Sequence, residues 1–287
     1  MNIIRYFSSL LIVLVFSNLS IAQSMDSLKK LLFQSTSSTE KATFYNEVTW
    51  AQHKLKQDSA LFWGQESITF CTQNKLQEPL AKAYLQLAEI YRTNNQLDQT
   101  IDYLDKADEL ISSNKNWHQV PVQLLLFKGK LAFSQKKYTL ALTIFQQGYT
   151  LNNQTKSGFC YNFCQQVANT HKRLGDQNKT ITYLKEGINC AKQVTQKIAI
   201  YNDLGNAYAK QELYAKALDL YSQSRSLSIS TNNKLEESRA YLNIGNIHFL
   251  EKNLETAVTF YLKSAAIKNS IDDKKGLAEL HQNIAAV

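Results

Sequence analysis

The sequence predicts an all-α fold, built as a solenoid of stacked antiparallel helical hairpins. The 287-residue chain has only 9 glycines and 2 prolines, too few turn formers for a many-stranded fold, in which turns recur every 8–12 residues. Good helix formers such as Ala, Leu, Lys, Gln and Glu are common. Small residues also recur at spacings of 37 to 41 residues, and a fixed spacing of this size is typical of a repeat architecture.

The repeat is most regular in the C-terminal third. Residues 201–208 (YNDLGNAY) and 241–248 (YLNIGNIH) carry equivalent glycines, Gly205 and Gly245, 40 residues apart. In each copy an alanine follows the glycine by twelve positions and a tyrosine by sixteen. This pattern resembles the tetratricopeptide repeat, with its Leu/Ile-Gly-x-x-Tyr first helix and Ala-x-x-x-Tyr second helix. The resemblance implies a right-handed superhelix.

Other copies fall into the same register, so the resemblance covers about residues 40–287. The small residues of the first helices are Thr49, Ala88, Gly129, Ala168, Gly205, Gly245 and Ala285. Those of the second helices are Ala60, Thr100, Ala141, Thr180, Ala217 and Ala257, and large residues follow at Leu104, Phe145, Leu184, Tyr221 and Tyr261. Two helices approach closely only where one of them carries a small side chain. We therefore expect each large residue of a second helix to pack against the small residue of its first helix. One hairpin cannot bury its apolar faces alone, and neighbours must stack.

The N-terminus reads as a secretory signal peptide, residues 1–22. Arg5 supplies the positive region, residues 7–16 are mostly apolar, and Ser20-Ile21-Ala22 ends the segment with small residues. These features predict cleavage between Ala22 and Gln23, leaving a periplasmic or extracellular product. Residues 23–39 would form a lead-in, and residues 40–287 an array of about six hairpins plus a truncated final helix.

The C-terminal end of the sequence also leads to a prediction. Val287 falls within a predicted first helix that has no partner after it, whereas solenoids need a capping element. We therefore expect the N-terminal part of a longer protein or a truncated gene model. The repeat spacing near 40 resembles the long-period variant found in exported sensor regions of bacterial signalling proteins. That resemblance implies a membrane span and a histidine kinase or helix-turn-helix regulator beyond Val287.

Family resemblance also places a ligand groove on the first helices, which line the concave face. The residue after the small position is asparagine in three successive copies, and neighbouring positions are polar. The groove set is Asn169, Asn206, Asn246, Asn202, Gln165, Lys172, Arg173, Arg239 and Asn243. Asparagine can bond both groups of a peptide backbone, and Arg and Lys bind carboxylates. Asn169 and Arg239 match the family's carboxylate clamp, but Asp203 departs from it and would oppose an anion. A solvated polar face is the alternative.

No catalytic constellation is predicted. The chain lacks a Gly-rich phosphate loop, a Gly-x-Ser-x-Gly elbow and His-Glu-x-x-His, and we expect no cofactor. His171 and His248 occupy positions filled by Tyr91 and Tyr208 in other copies, so we expect them to pack between helices. The net charge of +8 is scattered rather than clustered, which disfavours nucleic-acid binding in this segment.

The four cysteines are Cys71, Cys160, Cys164 and Cys190. An even count in an exported chain is compatible with a disulfide, and hairpin geometry puts Cys190 nearest Cys160. Four small buried thiols are the alternative. We expect no metal site, because one Cys-x-x-x-Cys supplies too few ligands.

The sequence leads to three hypotheses about function. The first is a protein- or peptide-binding scaffold without catalysis, and the second is the sensor region of a longer signalling protein, active in signal transduction. The third is a helical-repeat glycan-binding protein, which would need an exposed aromatic platform. Phe249 is the clear candidate for such a platform.

Overall fold

A computed structural model describes residues 30, 35, 37–53, 56–114, 116–285 and 287 of the chain. The predicted signal peptide, residues 1–22, lies outside the described residues. Of the predicted lead-in, only residues 30, 35 and 37–39 are described. The domain boundaries at residues 22 and 39 therefore stay predictions.

The described residues form thirteen α-helices and no strand. The helices are α1 (Ser38–His53), α2 (Gln57–Gln73), α3 (Gln77–Thr93), α4 (Leu97–Ser112), α5 (Gln119–Ser134), α6 (Tyr138–Thr155), α7 (Cys160–Arg173), α8 (Gln177–Cys190), α9 (Val194–Ala209), α10 (Tyr214–Ser230), α11 (Lys234–Leu250), α12 (Leu254–Ser270) and α13 (Lys274–Ala285). None of these helices has the length and apolar character needed to cross a bilayer.

The chain divides into two compact units, Met1–Gln135 and Lys136–Val287. In the first unit α1 pairs with α2 and α3 with α4, and α5 packs on α3 and α4. In the second unit α6 packs on α7, and three hairpins follow as α7–α8, α9–α10 and α11–α12, with α13 packed on α12. The predicted all-α helical repeat is thereby confirmed. First helices α9, α11 and α13 begin 40 residues apart, but α7 and α9 begin 34 apart, and the long-period assignment stays a prediction.

The predicted small-to-large contact holds the later hairpins together. A Cβ added to Gly205 in α9 would lie 2.5 Å from Cε1 of Tyr221 in α10, and one added to Gly245 would lie 2.7 Å from Cδ1 of Tyr261. Both tyrosines are almost fully buried. The glycines are therefore required by the close approach of the ring, because any larger side chain would occupy the same space.

Tight turns join many of the helices, and most of these turns place a residue in the left-handed region. Non-glycine residues occupy this place after α9, α10, α11 and α12, at Glu212, Asn232, Lys252 and Asp272, with φ between 51° and 62°. Gly175 occupies it after α7, with φ of 82°. A left-handed residue is the usual way to end a helix, and glycine adopts it without the steric cost that a Cβ brings.

Candidate functional site

A polar groove lies between the first helices α9 and α11 of the second unit, and we call it the first-helix groove. Its volume is about 270 Å³, and its lining residues are Ala199, Asn202, Asp203, Asn206, Glu236, Arg239 and Asn243. Four of the nine groove residues predicted from the sequence thus lie together. The repeat explains why, because equivalent faces of successive first helices become neighbours when the hairpins stack.

Asn202 is the most constrained polar group of this groove. It is buried, and its amide nitrogen donates to Glu236 Oε2 at 3.2 Å. Arg239 pairs with the other oxygen of the same carboxylate. The Asn202 side-chain oxygen is buried without a hydrogen-bond partner among the described residues. An unpaired buried acceptor costs free energy unless a donor reaches it, so this oxygen retains hydrogen-bonding capacity that the described residues do not use.

The groove carries charges of both signs. Burial raises the pKa of Asp203, the Glu236 carboxylate adds to the rise, and Lys172 and a hydrogen bond from Gln165 oppose it. Lys172 and Gln165 belong to α7 and were both predicted as groove residues. The two carboxylates therefore stand beside two cations, Lys172 and Arg239. Such a mixed surface suits a ligand with donors and charges of both signs rather than a simple anion.

A second, smaller depression lies between α7, α8 and α9. Its free volume is about 10 Å³, which is room for about one water molecule. Asn169, Lys172 and Asn206 line it, together with Asp203. Arg173 is exposed and lines neither depression, and neither does Asn246.

Asn206 and Asn246 have a packing partner that sequence reasoning missed. The hydroxyl of Tyr221 donates to Asn206 Oδ1 and that of Tyr261 donates to Asn246 Oδ1. Each tyrosine follows its asparagine by fifteen residues, and this spacing was the available signal. Asn169 differs, because Leu184 occupies the equivalent position. In the last two copies the recurrence of asparagine therefore reflects hairpin packing, and a groove role of the series stays a prediction.

Glu236 was also missed as a groove residue. In the sequence it stands beside Glu237, and the two adjacent carboxylates point apart on α11. Glu237 is buried and pairs with Lys234 at 3.0 Å, whereas Glu236 faces the groove. Its placement three residues before Arg239, on the same helix face, was the signal for their contact.

The two repeat-position histidines pack against rings of the second helices. His171 is 3% exposed and stacks on Tyr183, with ring centroids 5.7 Å apart. His248 stacks on Phe260 at 5.5 Å. In each pair the second ring lies twelve residues after the histidine. Tyr103 likewise lies twelve residues after Tyr91, and these two rings stack with their centroids 5.5 Å apart. These histidines therefore belong to the interhelical packing.

Cys160 and Cys190 form a disulfide across the α7–α8 hairpin, while Cys71 and Cys164 are free and buried. Burial, reinforced by the Glu186 carboxylate, raises the pKa of the Cys164 thiol to about 12. This thiol therefore stays protonated at neutral pH and is a poor nucleophile. Phe249, the aromatic platform considered for glycan binding, is half-buried and packs against a cluster that includes Tyr261.

Comparisons with known proteins agree with the geometry. The tetratricopeptide repeat profile matches residues 196–270 and 81–114. A 43 kDa receptor-associated protein of the synapse from Gallus gallus is 25% identical over 108 residues, which are 36% of this chain and 26% of that protein. The chain therefore spans about a quarter of that relative's length.

Solved structures share the fold at low sequence identity. A signal transduction ATPase with a tetratricopeptide repeat sensor, from Pyrococcus horikoshii, superposes with a TM-score of 0.67 and 16% identity over 90% of this chain and 44% of that one. A Rap protein complexed with competence and sporulation factor gives a TM-score of 0.63 and 14% identity, covering 91% of this chain and 78% of that one.

Proposed function

Because this chain is a tetratricopeptide repeat protein, we propose that it is a scaffold that binds a protein or peptide segment along the first helices α7, α9 and α11. The scaffold works outside the cytoplasm and performs no catalysis itself. The ligand lies in the first-helix groove in an extended conformation.

The observation that carries this proposal is the unpaired oxygen of Asn202. A backbone N–H of an extended segment would satisfy it after the Asn202 side chain turns towards the groove, since an amide oxygen accepts from such a donor. Asn206 keeps its amide nitrogen for a ligand carbonyl, because only its oxygen is used by Tyr221. Asn243 lines the same groove from α11. The asparagines on the two neighbouring helices thus supply both donors and acceptors, the two kinds of group that a peptide backbone pairs with.

Charged side chains around the groove determine which ligands it would select. Arg239 is exposed and can turn from Glu236 towards a ligand carboxylate, and Lys172, which interacts with Asp203, is also exposed. Asp203 and Glu236 can meet a basic side chain. The expected ligand is a polar segment with both acidic and basic side chains. The neighbour that forms a complex with competence and sporulation factor supports binding by this fold.

A random peptide display selection on the purified chain tests the proposal, followed by hydrogen exchange of the chain with the enriched peptide. We expect slower exchange in α9 and α11, and an unchanged rate in α3 and α4 as the internal control. Selection of no peptide above background, or protection confined to the second helices, would contradict it.

Export is the second part of the proposal, and it rests on the predicted signal peptide. Expression in a bacterial host with a Sec pathway should give a processed product that begins at Gln23. N-terminal sequencing of the material outside the cytoplasm checks this. An unprocessed product that retains Met1 in the cytoplasm would count against it.

A role as the sensor region of a longer signalling protein is the second candidate. It is favoured by the similarity to a signal transduction ATPase that carries a tetratricopeptide repeat sensor, of which this chain spans 44%. Reading the coding sequence after the Val287 codon tests it. A membrane span with a kinase or DNA-binding domain supports the candidate, and an immediate stop codon rejects it.

A further inference from the structure

The α7–α8 hairpin gathers three cysteine sulfurs in one place. Cys160 and Cys164 lie one turn apart on α7, and Cys190 ends α8. The three sulfur atoms all lie within 4.8 Å of one another. Four-coordinate zinc holds sulfur ligands about 2.3 Å away, which places neighbouring sulfurs about 3.8 Å apart. Small rotations of the side chains would therefore let one ion contact all three.

The Glu186 carboxylate, on α8, lies near enough to this cluster to raise the pKa of Cys164, although its oxygens are not among the atoms that lie within 4.8 Å of one another. Glu186 lies one turn before Cys190 on α8, as Cys160 lies one turn before Cys164 on α7. The hydroxyl of Tyr149, on α6, bonds Glu186 and also contacts the thiol of Cys164, so the carboxylate and the thiol share a neighbour. The helices approach closely here, because a Cβ added to Gly187 would lie 3.3 Å from Cys164 Cβ.

We propose that the reduced α7–α8 hairpin binds one thiophilic divalent cation of the zinc class through the clustered Cys160, Cys164 and Cys190, with Glu186 as the fourth ligand after its side chain turns towards the sulfurs. Each helix contributes two ligands at a spacing of four residues, which points both at the facing helix. Three sulfurs and one oxygen complete a four-coordinate structural site. Tyr149 is the positioning residue, because its hydrogen bond orients the Glu186 carboxylate.

This site reverses the expectation from the sequence, where one Cys-x-x-x-Cys supplied too few ligands. The fold adds the two remaining ligands from α8, and neither stands near the first two in sequence. Cys71, the fourth cysteine, lies in α2 of the other unit and takes no part.

The disulfide and the metal ion exclude one another. A disulfide between Cys160 and Cys190 leaves only Cys164 as a thiol, whereas the ion needs three thiolates. A phosphine reductant converts one form to the other. The phosphine is oxidised to its oxide with an oxygen atom from water, and each of the two cysteine sulfurs receives one proton. Metal binding then releases one proton from each of the three thiols.

The proposal is tested by titrating the full chain with Co²⁺ and then Zn²⁺ after phosphine reduction under argon. We expect one Co²⁺ per chain, a near-ultraviolet thiolate-to-cobalt absorption band, and loss of that band when Zn²⁺ displaces cobalt. The oxidised, disulfide-bonded chain should show no band. Absence of the band in the reduced chain overturns the proposal.

Substitutions separate this site from adventitious binding. Cys164→Ser leaves the disulfide pair intact and should weaken metal binding about 100-fold. Glu186→Gln and the positioning variant Tyr149→Phe should weaken it about 10-fold or more. Cys71→Ser removes a buried thiol elsewhere and should leave it unchanged. Wild-type affinity in Cys164→Ser overturns the proposal, and circular dichroism of its oxidised form establishes that the variant is folded.

Discussion

The Tyr221 hydroxyl donates a hydrogen bond to Asn206 Oδ1 at 2.7 Å, and Tyr261 repeats it with Asn246 at 2.9 Å. Each bond joins the two helices of one hairpin, and each tyrosine ring is buried. The asparagine thus has two separable parts. Its oxygen completes the hairpin, and its amide nitrogen stays available to a ligand. A simple alanine substitution removes both parts at once, so binding and stability must be measured together.

The first prediction concerns this bond. Asn206→Ala leaves the Tyr221 hydroxyl without its acceptor and should lower the free energy of unfolding by about 1–3 kcal/mol. Tyr221→Phe removes the donor and should cost about 1 kcal/mol. In the double variant the loss should be smaller than the sum, measured by urea denaturation.

Asn169→Ala is the matched control for this cycle, because Leu184 stands where the other copies have tyrosine. Its free energy of unfolding should change by no more than about 0.5 kcal/mol. Equal losses in Asn169→Ala and Asn206→Ala would show that the tyrosine bond contributes nothing.

The second prediction concerns the glycine beneath the ring. Gly205→Ala places a methyl group 2.5 Å from a Tyr221 ring carbon and should destabilise the fold by about 1–3 kcal/mol. Alanine is the better helix former by about 1 kcal/mol, so a net loss would identify the clash. Adding Tyr221→Leu removes the clash, so the combined loss should be smaller than the sum of the two single losses, because Ala168 is already buried together with Leu184 in the preceding hairpin. Strictly additive effects in the calorimetric melts would refute this coupling.

The third prediction uses the turn after α11. Lys252 has φ of 62°, a conformation that costs a residue with a Cβ about 1–2 kcal/mol. Lys252→Gly removes that cost but adds freedom to the unfolded chain, so we expect a net gain of about 0.5–1 kcal/mol. Lys263→Gly, at an exposed position within α12, should instead lose about 1 kcal/mol. Thermal denaturation of both variants distinguishes a turn effect from a lysine effect.

The fourth prediction concerns pH. Burial lowers the pKa of His171, Lys179 adds to the decrease, and Asp176 opposes it. The unfolded chain therefore takes up a proton near pH 6.5, while the folded chain takes it up only at lower pH. The contribution of the neutral His171 ring to the free energy of unfolding is fully present above the pKa of the unfolded chain, near 6.5, and declines as the pH falls below that value.

His171→Tyr, which copies Tyr91 of an earlier repeat, should remove this decline. The loss of stability between pH 7.5 and 5.5, followed by urea denaturation, should be smaller in the variant than in the wild type. His281→Gln changes an exposed histidine and should keep the wild-type dependence. Identical pH profiles for all three proteins would exclude His171 as the source.

The helical repeat could be predicted because its signals are local. Gly205 and Tyr221 are sixteen residues apart, and a single hairpin determines their contact. The groove depends on stacking between hairpins, so the bond between Asn202 and Glu236, 34 residues apart, had no local signal. The same limit applies to the cysteine cluster, because Cys190 lies on a different helix from Cys160 and Cys164, and to Glu186, which Tyr149 bonds from a third helix. The asparagine series was predicted as a groove feature, whereas the structure shows that two of its members bond a tyrosine of their own hairpin.

The central claim is that a peptide binds in the first-helix groove, and isothermal titration calorimetry tests it most directly. The probe is the peptide most enriched by display selection on the wild-type chain. For the double variant Arg239→Ala/Asn243→Ala, we expect the affinity for this peptide to be at least about 10-fold lower than that of the wild type, equivalent to about 1.4 kcal/mol. The control is the double variant Asn189→Ala/Lys197→Ala, which changes two exposed positions outside the groove. Its affinity for the peptide should stay at the wild-type value. Equal affinities for the two double variants would contradict the account.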